Sequence, residues 1–293
     1  MWKKILTWKE IDTMLRIVTD GAADMPADWQ ETYDIQVIPI NIHFGEQTFL
    51  QNVDLDNEGF YRLVDETKKV PQTSQPTPFQ FKEFYERIAQ AGDTILSLHV
   101  TAKLSGTFES AVTAARELAG KFHIIPFDSG CGSAGLGMMC REARLLERAG
   151  AGLEQVLQRL NEMRRNIQII LTLDTLEYAR MSGRVKTLQA ALASLLNVKP
   201  IAILQDGVLH MVEKVRTRQA AIERMLTIVK EQVGERAVNM AVVHARDPEA
   251  GQWLVERVRG LFNLREIILT DLSISVAANL GPGTVGLVVY PAD

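Results

Sequence analysis

Two short hydroxyl-bearing segments carry the most specific chemistry in this chain: Thr73-Ser74-Gln75-Pro76 and Leu104-Ser105-Gly106-Thr107. Each is expected on a turn between elements. The second follows an apolar stretch, Thr94 to Val100, and opens a predicted helix. Small hydroxyls beside the unpaired N–H groups of a helix N-terminus suit an anion, because the free donors and the helix dipole both favour negative charge. Such a site holds a carboxylate or a phosphate rather than attacking it. The same residues also have plain structural uses. A Ser that opens a helix serves as an N-cap, and spacing alone leaves cap and ligand contact equally open for Ser105. Thr73 and Ser74 precede Pro76 and Pro78, which favours a rigid loop and cap before a helix at Phe79.

Other chemistries find less in the chain. Ser105 as a nucleophile, in an acyl hydrolase or a phosphotransferase, would need a base; neither a G-x-S-x-G elbow nor an S-x-x-K pair surrounds it. Gly130-Cys131-Gly132-Ser133-Ala134-Gly135 matches a dinucleotide-binding pattern. That motif also requires a second strand ending in an acid about 20 residues on. Here a helix occupies that distance, so the run reads as a glycine-rich strand-to-helix turn. A phosphate-binding G-x-x-x-x-G-K-[ST] loop is missing. The histidines at 43, 99, 123, 210 and 244 are too scattered for a zinc site. Cys131 and Cys140 stand nine residues apart, about 13 Å if the segment is helical, too far for a disulfide. No metal or other cofactor is expected, and two unpaired thiols fit a reducing, cytoplasmic setting.

Composition bounds the rest. The 293 residues are 46% apolar and 23% charged with a formal net charge of −4. This gives no electrostatic footprint for nucleic acid, and no stretch approaches the roughly 18 apolar residues of a membrane span. Met1 to Leu15 reads as a short amphipathic extension rather than a signal peptide. Beyond it, strands are predicted at Arg16–Asp20, Ile35–Phe44, Thr94–Val100 and His123–Asp128, alternating with helices at Asp56–Thr67, Phe79–Ala91, Ser105–Ala119 and Ser133–Ala149. That alternation predicts an α/β unit with a mostly parallel sheet. A boundary near Gly150–Gly152 would separate an N-terminal α/β domain (16–150) from a C-terminal one (151–293). Asp206-Gly207 between two strand-like runs marks a hairpin, so the second domain is expected to carry a mixed sheet with helices.

In this order the segments resemble the DegV family. The marks are Arg16-Ile17-Val18-Thr19-Asp20, Thr73-Ser74-Gln75-Pro76, Leu104-Ser105-Gly106-Thr107-Phe108, Phe127-Asp128-Ser129, Ser182-Gly183-Arg184-Val185 and Gly281-Pro282-Gly283-Thr284. Each motif is weak singly; six in order, over 16–291, are specific. The resemblance implies a two-domain α/β protein, non-catalytic, that buries one long-chain fatty acid. It implies a carboxylate held by Thr73, Ser105 and the Gly106 amide, with Ser74, Ser129, Arg184 and Asn279 as supporting residues. It further implies presentation of that carboxylate to a separate ATP-binding fatty acid kinase protein. Two departures stand out: Gly21 where relatives usually place Ser, and Asn279 where many have a His thought to lie near the carboxylate. The second bears on the kinase role rather than on lipid binding. Roughly 14 methylenes leaving water at ~0.8 kcal/mol each outweigh a few hydrogen bonds to the head. The tail therefore supplies affinity and the hydroxyls supply orientation. Apolar segments such as Leu188–Leu196 are candidates for its walls.

Overall fold

The structure, a computed structural model, describes residues 15–186 and 198–292. The extension before Leu15 and the candidate wall segment Leu188–Leu196 lie outside the described residues. Among the described residues three sheets form. The first contains β1 (Leu15–Asp20), β2 (Ile35–Ile38), β6 (Thr94–His99) and β7 (His123–Asp128). Its order is β2-β1-β6-β7 and every pairing is parallel. A small antiparallel sheet, β4-β3-β5, contains β3 (Asn41–Phe44), β4 (Gln47–Leu50) and β5 (Gln72–Ser74). The third is mixed, built from β8 (Gln168–Thr172), β9 (Val185–Lys186), β10 (Lys199–Gln205), β11 (Val208–Val215), β12 (Val238–His244), β13 (Leu264–Asp271) and β14 (Val285–Pro291). Its order is β13-β12-β14-β8-β10-β11-β9. The helices are α1 (Trp29–Thr32), α2 (Asn57–Thr67), α3 (Pro78–Ile88), α4 (Thr107–Glu117), α5 (Ser133–Arg148), α6 (Leu153–Asn166), α7 (Glu177–Ser182), α8 (Arg218–Val233), α9 (Pro248–Leu261) and α10 (Ile274–Leu280). The fold is the expected α/β arrangement, a parallel sheet followed by a mixed one.

Strand alternation sorts the apolar residues into layers. Val18 and Ile95 face α3 and α4, packing with Phe81, Tyr85, Ala111 and Ala114. Ile17, Leu96 and Leu98 face the other way, toward α5. Helices α5 and α6 fill the space between the parallel and mixed sheets. One cluster there joins Leu136 and Leu160 to Ile169, Leu171, Ala241 and Val288. On the far face of the mixed sheet, Ile170, Met240 and Val242 pack under α8 and α9. The continuous core thus runs across the junction at 149–152, although the sheets change over there.

Several local expectations differ from the structure. The predicted strand Ile35–Phe44 breaks at Pro39 into β2 and β3, which belong to different sheets. Proline supplies no ladder N–H, so a continuous interior strand cannot pass through it. Thr73 and Ser74 lie not on a turn but on β5, which pairs with β3 through Thr73↔Ile42. The cap before α3 is instead Thr77, which forms a reciprocal capping box with Gln80. Helix α4 starts at Thr107, two residues after Ser105, with Gly106 at its N-cap. The hairpin holds: Asp206 and Gly207 both have positive φ, 50° and 74°, and join β10 to β11.

Candidate functional site

In the parallel sheet the chain leaves β1 toward β2 on one side, while β6 pairs on the other. The crevice beyond the carboxyl ends of β1 and β6 is therefore a topological switch point, where open α/β sheets place ligands. A cavity of about 110 Å³ lies there, with Ala22 after β1 and Val100, Leu104 and Ser105 after β6 on its wall. Strand β5 contributes Thr73 and Ser74, continued by Gln75. Helix α10 contributes Ser275, Val276, Asn279 and Leu280, and Arg184 and Leu209 complete the lining with Ile40. The two hydroxyl segments, 31 residues apart at Ser74 and Ser105, thus meet in one cavity.

Buried hydrogen bonds fix its rim. The carboxylate of Asp20, fully buried, accepts the backbone N–H of Ala22 at Oδ1 (2.9 Å) and of Val100 at Oδ2 (3.0 Å), and His99 Nδ1 lies 3.0 Å from the same Oδ2. His99 in turn contacts Ser97, and Ser97 contacts Tyr85, all buried. Ser129 does not line the cavity. Its hydroxyl bonds the backbone of Cys131, whose carbonyl accepts Thr101 N–H at 2.8 Å; the Thr101 carbonyl then accepts Ser105 N–H at 3.3 Å. Ser129 is thus linked to Ser105 only through backbone hydrogen bonds of the loop. The tip of the β10–β11 hairpin closes on the same loop, since a Cβ at Gly207 would run into Thr101 Oγ1.

The hydroxyls are oriented. Asn279 Nδ2 donates to Thr73 Oγ1 at 3.4 Å and to Ser275 O at 2.6 Å. Ser105 Oγ accepts Thr107 N–H at 3.3 Å and lies 2.8 Å from Thr107 Oγ1. Thr73, its lone pair engaged by Asn279, keeps its own O–H for an acceptor in the cavity, and Ser105 keeps its own when Thr107 Oγ1 is the donor between them. The Gly106 N–H, at an N-cap, has no intrahelical acceptor. A Cβ at Gly106 would stand 2.8 Å from Gln75 Nε2, so glycine lets the two hydroxyl segments approach. Arg184 donates to Ser182 O at 2.5 Å; among the described residues no carboxylate pairs with it. Ser74 Oγ is 2.8 Å from His43 Nε2 and shares a strand face with Asn41 and His43, opposite to that of Thr73. Ser105 has Thr107, not a His or Lys, beside its hydroxyl among the described residues.

A second cavity, about 80 Å³, continues from the first. The two share Ala22, Val100, Leu104, Leu209, Val276 and Leu280. The second adds Ile169 and Leu171 of β8 and Leu204 of β10, so an apolar passage leads from the polar rim into the core between the sheets. Asp24 sits just behind the rim. Burial raises its carboxyl from 3.8 to about 6, even though it accepts Ser133 Oγ–H (2.5 Å) and the Ser273 N–H at the head of α10 (2.7 Å).

The chain has relatives among known proteins. The family model described as "Uncharacterised protein, DegV family" matches residues 14–292. The chain belongs to the DegV family. It is 32% identical over 275 residues to a DegV domain-containing protein of Streptomyces coelicolor, covering 93% of this chain and 97% of that one. Among solved structures it is similar to a DegV family protein from Thermus thermophilus described for its fatty acid binding. That likeness has 30% identity, a TM-score of 0.84 and coverage of 94% of this chain and 99% of the other. DegV of Bacillus subtilis, described as a fatty acid binding protein, matches at 28% identity with a TM-score of 0.82, covering 95% and 99%.

Sequence reasoning missed Gln75, Ser275 and the apolar walls at Ile40, Val276 and Leu280. A signal existed for α10: Ser275 and Asn279 stand at i, i+4, and Gly281-Pro282 follows as a stop. At the first departure from the family, a Cβ on Gly21 would stand 2.5 Å from Gln51 Oε1. The Gln51 carboxamide fills that space and donates to Gly21 O at 2.8 Å. Among the described residues no helix is long and apolar enough to cross a membrane, and no cluster of three or more His, Cys, Asp or Glu side chains could hold a metal.

Proposed function

We propose that this protein binds one long-chain fatty acid, its carboxylate held by the hydroxyls of Thr73 and Ser105 and the Gly106 N–H, its tail in the apolar passage. The observation that carries this reading is the convergence of both hydroxyl segments on one cavity that continues into a wholly apolar one. Family members with 28–30% identity described as binding fatty acids support the ligand class. Arg184 adds positive charge at the rim, and Asn279 orients Thr73 where a family His would stand.

An apolar cavity of about 150 Å³ accommodates benzene, so the two cavities as they stand take only part of a long acyl chain. Binding the whole of it widens the passage. The family resemblance suggests the role: the protein shields the tail in the cytoplasm and leaves the carboxylate at the rim, for a separate ATP-binding kinase protein to convert to an acyl phosphate. Extraction of the purified, denatured protein followed by mass spectrometry tests the ligand; a long-chain fatty acid is expected, and a nucleotide in its place would overturn the reading. Incubating the loaded protein with ATP and such a kinase, with acyl phosphate trapped by hydroxylamine, tests the role.

A further inference from the structure

Thr73 and the residue that orients it belong to separate elements. Thr73 stands on β5, which pairs with β3 through Thr73↔Ile42, and β3 pairs in turn with β4. Asn279, whose Nδ2 donates to Thr73 Oγ1, stands on α10. At 3.4 Å that bond is long, so a small further separation of the small sheet from the helix would break it.

One buried carbonyl holds the two elements together. Gly21 O, in the turn after β1, accepts Gln51 Nε2 at 2.8 Å and Ser275 Oγ at 2.9 Å, which engages both of its lone pairs. Ser275 lies in the first turn of α10, and its own carbonyl accepts Asn279 Nδ2 at 2.6 Å. Gln51 directly follows β4, and its backbone N–H donates to Ile40 O at 3.0 Å, one residue before β3 begins. The Gly21 peptide is itself pinned, since its N–H donates to Ile38 O at 3.1 Å. Hydrogen bonds therefore run from the small sheet through Gln51, Gly21 and Ser275 to Asn279, and return to the same sheet at Thr73.

The Gln51 side chain is suited to this single contact. It is buried, and its Oε1 has no hydrogen-bond partner among the described residues. A buried carbonyl oxygen left unpaired costs stability, so packing alone would be served as well by an apolar side chain of the same length. What the amide adds is one donor, aimed at Gly21. Glycine at position 21 belongs to the same contact. Its φ is not positive, and a Cβ there would stand 2.5 Å from Gln51 Oε1, so the residue answers to room for the carboxamide and not to backbone strain.

We propose that Gln51, which lines neither cavity, is a positioning residue for the fatty acid carboxylate. By clamping the small sheet to α10 through the Gly21 carbonyl, it keeps Asn279 on Thr73 and the Thr73 O–H turned to the ligand. This rests on the fatty-acid reading and adds a residue outside the cavity that sets the strength of one of its contacts.

The test uses delipidated full-length protein titrated with palmitate. Gln51→Met keeps the length of the side chain and removes its donor. Palmitate affinity is expected to fall by about 5- to 10-fold, a coupling of the size found within one hydrogen-bond network, while the unfolding temperature of the ligand-free protein is not lowered. A double-mutant cycle separates positioning from a general structural role. In Thr73→Val, which has no hydroxyl to orient, Gln51→Met should cost nothing more; in Ser105→Ala it should cost the same factor as in wild type. Gly21→Ala drives the carboxamide off from the opposite side with Gln51 in place, and the same pattern is expected of it, which keeps the test open should Gln51→Met not fold. Wild-type affinity in either folded variant, or a further loss in Thr73→Val as large as in wild type, would overturn the positioning role. Wild-type protein that binds no palmitate would overturn the fatty-acid reading itself, a different and recognisable result.

Discussion

Thr73 and Ser105 each face the cavity with a hydroxyl whose lone pairs are already engaged, by Asn279 and by Thr107 N–H. The Thr73 proton is thus left for a carboxylate oxygen, and the Ser105 proton is left for one when Thr107 Oγ1 donates across their 2.8 Å contact. Hydrogen bonds to a charged group contribute about 1.5–3 kcal/mol each. Thr73→Val or Ser105→Ala should weaken fatty acid binding by roughly 10- to 100-fold, with the unfolding temperature of the ligand-free protein little changed. Calorimetric titration with palmitate checks this, and wild-type affinity in Ser105→Ala would remove that residue from the carboxylate site. Asp24 behaves differently. Burial raises its pKa from 3.8 to about 6, so the folded state prefers the protonated form. Its stabilising contribution is fully present below 3.8 and is lost as the pH rises through about 6. Asp24→Asn keeps an acceptor for Ser273 N–H and a donor for Ser133 without the buried charge. It should stabilise the fold at pH 8 by on the order of 2–3 kcal/mol and have little effect at pH 4. Equal unfolding temperatures for variant and wild type at both pH values would contradict the assignment.

Among the elements, α10 does most for the site while being one of the shortest. Ser275 and Asn279 share one face by their spacing. Ser275 Oγ anchors the helix to Gly21 O (2.9 Å), and Asp24 holds its first turn at Ser273. It ends at Gly281, whose φ of 87° and ψ of 162° belong to a region open essentially to glycine alone. A Cβ there would meet Tyr178 Cδ2 and Thr175 Cγ2 at 2.9 and 2.8 Å. Gly281→Ala should therefore cost about 1–3 kcal/mol of stability. It should also weaken binding with Thr73 and Ser105 both intact, because Asn279 is displaced. Denaturant unfolding and palmitate titration on the same variant separate the two effects. Unchanged affinity in a destabilised variant would show that α10 does not orient the head group. The cap of α3 is a contrasting case: Thr77→Ala removes a hydroxyl that bonds only Gln80 within the helix, while Gln80 keeps its bond to Asn41. A loss of about 1 kcal/mol with no change in binding is expected.

For the whole molecule, the cavity joins parts of the chain far apart in sequence. Thr73 and Ser105 come before the 149–152 junction, Leu209, Val276 and Asn279 after it. Ion pairs tie the same two parts together: Arg246 holds Asp65 of α2 at 2.6 Å, and Arg141 of α5 holds Glu266 of β13 while stacking over Trp29 at 4.5 Å. A ligand that touches both parts only when they are docked should stabilise them jointly. Palmitate at roughly 100 times its Kd should add about 2.7 kcal/mol, seen as one unfolding transition moving upward as a unit. A transition that splits on adding ligand, or fails to move, would contradict a ligand shared by the two parts.

Most elements were legible from the residues because local forces decide them. The hairpin follows from Asp206-Gly207, and the parallel sheet from alternating strands and helices. Both hydroxyl segments were legible as well, since small polar residues beside prolines and a helix start are a local signal. Tertiary structure alone decided that Thr73 lies on a strand, that Pro39 sends β2 and β3 to different sheets, and that Asn279 reaches Thr73 across 206 residues. It also turned a glycine run that matched a nucleotide motif into the wall of an apolar passage. The reason is physical: propensity and pattern act within a few residues, whereas a cavity exists only where distant surfaces close on each other, and its shape belongs to their packing.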